Sequence, residues 1–154
     1  MRTAAMMAAL ALAAVTTHAQ AQQRPEYGPD VTVAMAKKIA AGTLAECAKN
    51  KWNVAVAIVD THGFLVYFER MENTQSASMD IAIGKARTAA TYRRTTRVFM
   101  DAINKGPATA TLPGVVASPG GVPIFADGKV IGGVGVSGVT GDQDEQCAKA
   151  GLGT

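Results

Sequence analysis

Lys85, Thr88 and Tyr92 fall at i, i+3 and i+7 of the stretch Met79–Tyr92, MDIAIGKARTAATY. If that stretch is a helix, the three share one face, with Ile81 one turn earlier on the same side. An apolar residue, a cation, a hydroxyl and a phenol on one face are what a small carboxylate needs. Arg93 and Arg94 carry the positive charge past the end of the helix. They have an equally good local reason to be there, because cations at a helix C-terminus complement the macrodipole and face water. The same double reading applies to Ser137–Asp144. A turn into a helix N-terminus offers free N–H groups to an anion, but Asp142, Asp144 and Glu145 already supply that negative charge and would repel a phosphate. His62 is a ligand or acid–base group by type, and by position a residue of an exposed Thr-His-Gly turn. Met71, Met79 and Tyr67 are better explained by packing. No catalytic triad can be assembled around Ser137. Asp60 and Asp144 form an acid–base pair only if the fold brings them together.

The N-terminus, MRTAAMMAALALAAVTTHAQAQ, has one arginine, an apolar run from Ala4 to Val15 and an Ala-Gln-Ala site. Residues 1–21 therefore read as a secretory signal peptide, too short in its apolar run to span a bilayer. The expected location is the periplasm or the outside of the cell, with no membrane span in the mature chain. Loss of Arg2 with that peptide takes the formal charge from +3 to +2. There is no basic run and little aromatic interleaving, so nucleic acid is not a partner. Cys47 and Cys147 are the two cysteines. In an exported protein they suggest one disulfide, the alternative being two separately buried thiols. With His62 they are too few for a zinc site, and no metal is expected.

These residues need elements to position them. Residues 22–29 read as a loose polar segment, followed by a single domain over residues 30–154. Asp30 is a candidate N-cap for a helix to about Lys51, with Val31, Met35, Ile39, Gly42 and Ala45 on one face. Trp52 to Asp60 is apolar on both faces, which places a strand at the centre of a sheet. Asp60–Gly63 turns it into a second strand, Phe64 to Met71. The helix Met79–Tyr92 and another from Thr95 or Thr96 to Lys105 follow, then a long proline-bearing loop, Gly106–Pro119. Asp127-Gly128 predicts a two-residue hairpin between Val122–Ala126 and Val130–Ser137. A last helix starts near Asp142 and ends at Gly151 as its C′ residue. The order α-β-β-α-α-β-β-α is that of an α+β domain, a central antiparallel sheet of two β-hairpins with helices packed on it.

The return strand of the second hairpin carries Gly132, Gly133 and Gly135. Glycines inside a strand mark a close approach, by a helix or by a flat ligand. Gly133–Gly138 also spells G-x-G-x-x-G. A dinucleotide site would need that motif in a strand-to-helix turn with a second strand beyond it, and the chain stops too soon.

Four blocks in order, VAIVDTHGFLVYFERM (Val56–Met71), DIAIGKARTAATYRR (Asp80–Arg94), GGVPIFADGKVIGGVGVSG (Gly120–Gly138) and GDQDEQCAKAG (Gly141–Gly151), resemble the GlcG/HbpS-like, or haem-degrading domain, family. The resemblance implies a small fold around an antiparallel sheet, homo-oligomers of even number, and haem binding. Haem needs an apolar slot, cations for its propionates and an axial ligand. Lys85, Thr88 and Tyr92 are then the candidate propionate face and His62 the ligand by type. The expectation is an exported haem-binding protein. The alternatives are an enzyme acting on a small carboxylate near Lys85 and Thr88, and a non-catalytic oligomeric module.

Overall fold

The computed structural model describes residues 23–154; the expected signal peptide lies outside them. The order is α1 (Val33–Lys49), β1 (Ala55–Val59), β2 (Leu65–Arg70), α2 (Ser78–Tyr92), α3 (Thr96–Lys105), β3 (Gly121–Ala126), β4 (Lys129–Ser137) and α4 (Gly141–Leu152). This is the expected α-β-β-α-α-β-β-α sequence of an α+β fold. The four strands form one antiparallel sheet in the order β2-β1-β4-β3. Every residue of β1 is buried, as two apolar faces require. Asp127 and Gly128 both take positive φ, 49° and 74°, the pair of left-handed residues a type I′ hairpin needs.

The two faces of the sheet are packed differently. Val54, Val56, Ile58, Val122, Ile124, Val134 and Val136 form one core with Ala36, Ile39 and Ala40 of α1 and Ala148 of α4. The Cys47–Cys147 disulfide, with Cα atoms 5.6 Å apart, joins the two helices in that layer. On the other face Ala55, Ala57 and Val59 meet Ala82, Ala86 and Ala90 of α2. There α2 lies almost against the backbone of β4. A Cβ on Gly135 would run into the Ala82 carbonyl, and one on Gly133 into that of Ala86. The glycine-dense strand is therefore explained by a helix, and its G-x-G-x-x-G pattern lies mostly within β4 rather than in a strand-to-helix turn.

Four local expectations are corrected. Asp30 does not cap α1; Thr32 does, its hydroxyl accepting from the Met35 N–H at 3.2 Å, because Asp30 is engaged by Thr61. Gly151 is inside α4, where its missing side chain leaves room for Thr43, and Gly153 is the left-handed cap. Helix α4 begins one residue early, at Gly141, because Thr140 and Gln143 form a capping box. The polar segment is docked, not loose. The Gly28 N–H donates to the Val130 carbonyl at 2.8 Å and that of Val31 to Ile131 at 2.7 Å, so the segment extends the hairpin end of β4. Arg24 donates to the Tyr92 carbonyl at 3.0 Å and the Tyr27 hydroxyl to that of Thr91 at 2.7 Å, satisfying carbonyls that the end of α2 leaves open. The Arg93 guanidinium lies 4.8 Å over the Tyr27 ring.

The close contact of α2 with β4 predicts the outcome of one substitution. Gly135→Ala should destabilise the fold by about 3 kcal/mol or more, the upper end for overpacking. Gly106→Ala, where an added Cβ meets nothing within 4 Å, should stay within about 0.5 kcal/mol of the parent. Denaturant unfolding of the two variants makes the comparison; equal stabilities would mean that α2 does not approach the strand this closely.

Candidate functional site

Helix α2 places Lys85, Thr88 and Tyr92 on one side, as their spacing requires, and the fold then uses each of them. Lys85 is 1% exposed. Its ammonium donates to Asp144 Oδ2 at 2.7 Å and to the Val136 carbonyl at 3.0 Å. Asp144 stands in the first turn of α4, across the sheet, and its Oδ1 accepts from the Val139 N–H at 3.2 Å. The pair therefore ties the helices of the two faces together beside Gly120. Burial pushes the Asp144 carboxyl above its ordinary range, with the hydrogen bond and charge of Lys85 pulling the other way. Asp144 is thus the partner of Lys85 and not of Asp60.

Thr88 and Tyr92 hold the loop after α3. The Thr88 hydroxyl donates to the Gly84 carbonyl at 2.9 Å and lies 3.2 Å from that of Gly114, and it accepts from the Val116 N–H at 2.9 Å. The Tyr92 hydroxyl donates to the Pro113 carbonyl at 2.8 Å, and its ring packs edge-on against Phe99. This face is closed in this structure. Lys85 offers no surface to a carboxylate, contrary to the reading of it as an open cation, because the loop and α4 cover it. His62 sits on the β1–β2 turn, exposed, with Nδ1 3.1 Å from the Thr61 hydroxyl.

Open surface lies elsewhere. One cleft of about 460 Å³ is lined by Glu46, Arg97, Asp142, Glu145, Gln146 and Lys149. Both of its cations are already paired. Arg97 meets Asp142 and Glu145 at 2.5 Å each, and Lys149 meets Glu145 at 2.7 Å. The carboxylates of Asp142 and then Glu145 hold the Arg97 guanidinium charged well past its ordinary range. Such a cleft has no free cation for an anionic ligand.

A second cleft, about 310 Å³, runs between the start of α3 and the outer edge of β3. Arg94, Thr95, Val98, Val122, Pro123 and Phe125 line it together with Arg93. Phe125 is 51% exposed and Val98 43%. Arg93 and Arg94 end α2 in a Schellman turn, their N–H groups donating to Ala90 and Ala89. Arg93 is then used by the N-terminal segment, donating to the Pro25 carbonyl at 3.0 Å. The Arg94 guanidinium has no hydrogen-bond or ion-pair partner among the described residues. Reading the sequence alone, both arginines are explained by the helix dipole. The signal that was available is Phe125, which alternates with the inward-facing Val122 and Ile124 and so must point out.

A family model described as "Haem degrading protein HbpS-like" matches residues 31–153. The chain belongs to this HbpS-like family. Protein GlcG of Escherichia coli (strain K12) is 44% identical over 104 residues, covering 67% of this chain and 78% of that protein. The crystal structure of a double mutant of HbpS from Streptomyces reticuli has the same fold, with a TM-score of 0.77 and 29% identity over 99% of this chain and 97% of that one. A crystal structure of a PduOC–haem complex gives a TM-score of 0.75 at 26% identity, covering 80% and 94% of the two chains. The family match thus spans both the buried Lys85–Asp144 pair and the Arg94 cleft.

The buried pair makes a pH-dependent prediction. Lys85→Met should lower stability by about 3–5 kcal/mol at neutral pH, because it leaves a buried carboxylate without its cation. In that variant the folded-state pKa of Asp144 lies further above its unfolded value. The stabilisation from the protonated acid is then present at low pH and is lost as pH rises through the folded pKa. The melting temperature of Lys85→Met should fall relative to the parent as pH rises above the ordinary carboxyl range, and Asp144→Asn added to it should flatten the profile. A parallel profile for variant and parent would show that the pair is not buried as described.

Proposed function

We propose that this chain is an exported haem-binding protein whose porphyrin site is the cleft of Arg94 and Phe125. One observation carries the reading. A single open cleft combines an apolar wall of Val98, Val122, Pro123 and Phe125 with a guanidinium that has no other partner among the described residues. A flat apolar ring with anionic propionates fits that donor set, and the Lys85 face, being closed, does not offer it. The HbpS-like family match and the haem complex of a structural relative support the same ligand. Val98, Val122, Pro123 and Phe125 would hold the ring and Arg94 a propionate; His62 does not line this cleft. Bound haem would supply a redox-active iron, and the residues of this chain supply the hold and the orientation. Export to the periplasm or beyond is supported by the signal-like N-terminus and by a disulfide suited to an oxidising compartment. Among the described residues no helix is long and apolar enough to cross a membrane.

Titration of the purified chain with haem tests the reading. A saturable change in the Soret band at micromolar haem is expected, weakened about tenfold by Arg94→Ala and by Phe125→Ala, a loss of about 1.4 kcal/mol each. No saturable change would overturn haem binding. Binding unaffected by both variants would overturn the cleft.

Self-association is part of the same proposal. Phe64, which precedes the outer strand β2, is 68% exposed, and Leu65, its first residue, 48%. Apolar side chains at an unpaired strand edge invite a second copy. Light scattering at tens of micromolar protein should give a symmetric homo-oligomer, and Phe64→Ser should shift it toward monomer; a parent that is monomeric would refute the assembly.

A further inference from the structure

We propose that Asp30, Asp60 and His62 form a binding site for a first-row divalent metal cation, separate from the Arg94 cleft. The oxygen and nitrogen donors of these three side chains all lie within 4.8 Å of one another. They come from two parts of the chain, the segment before α1 and the β1–β2 turn, and only the docking of that segment brings them together. Counting thiols and imidazoles in the sequence misses such a site, because two of its three donors are carboxylates.

The side chains are held from behind. Asp30 Oδ1 accepts from the Thr61 N–H at 2.9 Å and from the Thr61 hydroxyl at 2.5 Å. Asp60 Oδ1 accepts from the His62 and Phe64 N–H groups, each at 2.9 Å. In both residues the second oxygen, Oδ2, has no partner among the described residues. Ligating carboxylates are ordinarily anchored in this way, one oxygen fixed by the protein and the other left for the ion. The Thr61 hydroxyl also fixes the imidazole, 3.1 Å from Nδ1. Among the described residues neither carboxylate has a lysine or arginine within ion-pair distance, whereas Asp142, Asp144 and Glu145 each do. Two carboxylates thus face one imidazole without an ion-pair partner among the described residues, Arg87 being engaged at the Gly63 carbonyl of the same turn at 2.9 Å, and their free oxygens are open to a cation.

The donor set restricts the ion. Two carboxylates and one imidazole, with no thiolate, suit Zn²⁺, Co²⁺ or Mn²⁺ rather than a soft ion. Three protein ligands leave at least one position for water.

Isothermal titration of Zn²⁺ into the tag-free, haem-free full chain tests the site, with Co²⁺ absorption as a second readout of coordination. One ion per chain is expected, with affinity reduced by about tenfold or more in His62→Ala and in Asp60→Asn, the second of which keeps the oxygen that closes the turn. Melting of each variant shows whether it is folded, and exposed His62 decides the matter should Asp60→Asn unfold. No saturable binding below about millimolar Zn²⁺, or binding equal in parent and His62→Ala, would overturn the proposal. Haem titration of the same His62→Ala protein reads the Arg94 cleft separately.

Discussion

The close contact between α2 and β4 constrains most of the molecule. Ala82, Ala86 and Ala90 pack where β4 has Gly133 and Gly135, so helix and strand meet almost backbone to backbone. A helix that near the sheet has little room for long side chains on its inner face. Lys85 therefore runs out past Gly120 to the far layer, where Asp144 receives it. A buried ammonium without that carboxylate would be strongly unfavourable, so α2, α4 and the start of β3 must form together. The disulfide between α1 and α4 closes the other side of the same arrangement.

Closure of the Lys85 face redirects the search for a binding surface. The loop that covers it is not held by a large apolar contact. It rests on hydrogen bonds from Thr88 and Tyr92 and on Val116, which occupies the space left by Gly84. The residues that look most chemical in the sequence thus act as tethers. Arg94, whose guanidinium has no partner among the described residues, lies two residues beyond Tyr92, where α2 has ended and α3 has not begun. Its neighbours come from β3, almost thirty residues away, and their exposure follows from the position of β3 at the edge of the sheet. Pro123 belongs at such an edge, since it has no N–H to give to a further strand.

The N-terminal segment has a comparable role at the opposite end of β4. By pairing with Val130 and Ile131 it carries Asp30 to the β1–β2 turn, and by reaching the end of α2 it supplies donors for open carbonyls. Thr61 then holds Asp30 below its ordinary pKa of 3.8, through its hydroxyl first and its N–H second. A stretch with no hydrophobic periodicity is therefore ordered by backbone and polar contacts with residues far away in the chain, with the Tyr27 ring against Arg93 and Val31 in the core.

The sequence alone determined the element order, the central and fully buried β1, the Asp127-Gly128 hairpin and the common face of Lys85, Thr88 and Tyr92, and it suggested, against two separate thiols, a bridge between Cys47 and Cys147. Each of these depends on local periodicity, on a turn residue whose φ is set by its own chemistry, or on there being only two cysteines. Tertiary structure decided what lies opposite. The partner of Lys85 is 59 residues away, Asp30 meets a turn 31 residues on instead of capping the adjacent helix, and Gly133 and Gly135 of β4 face a helix rather than a ligand. Periodicity tells a residue which way to point along its own helix or strand. It carries no information on which layer that direction meets, because that is set by the strand order of the sheet and the depth at which each helix packs on it.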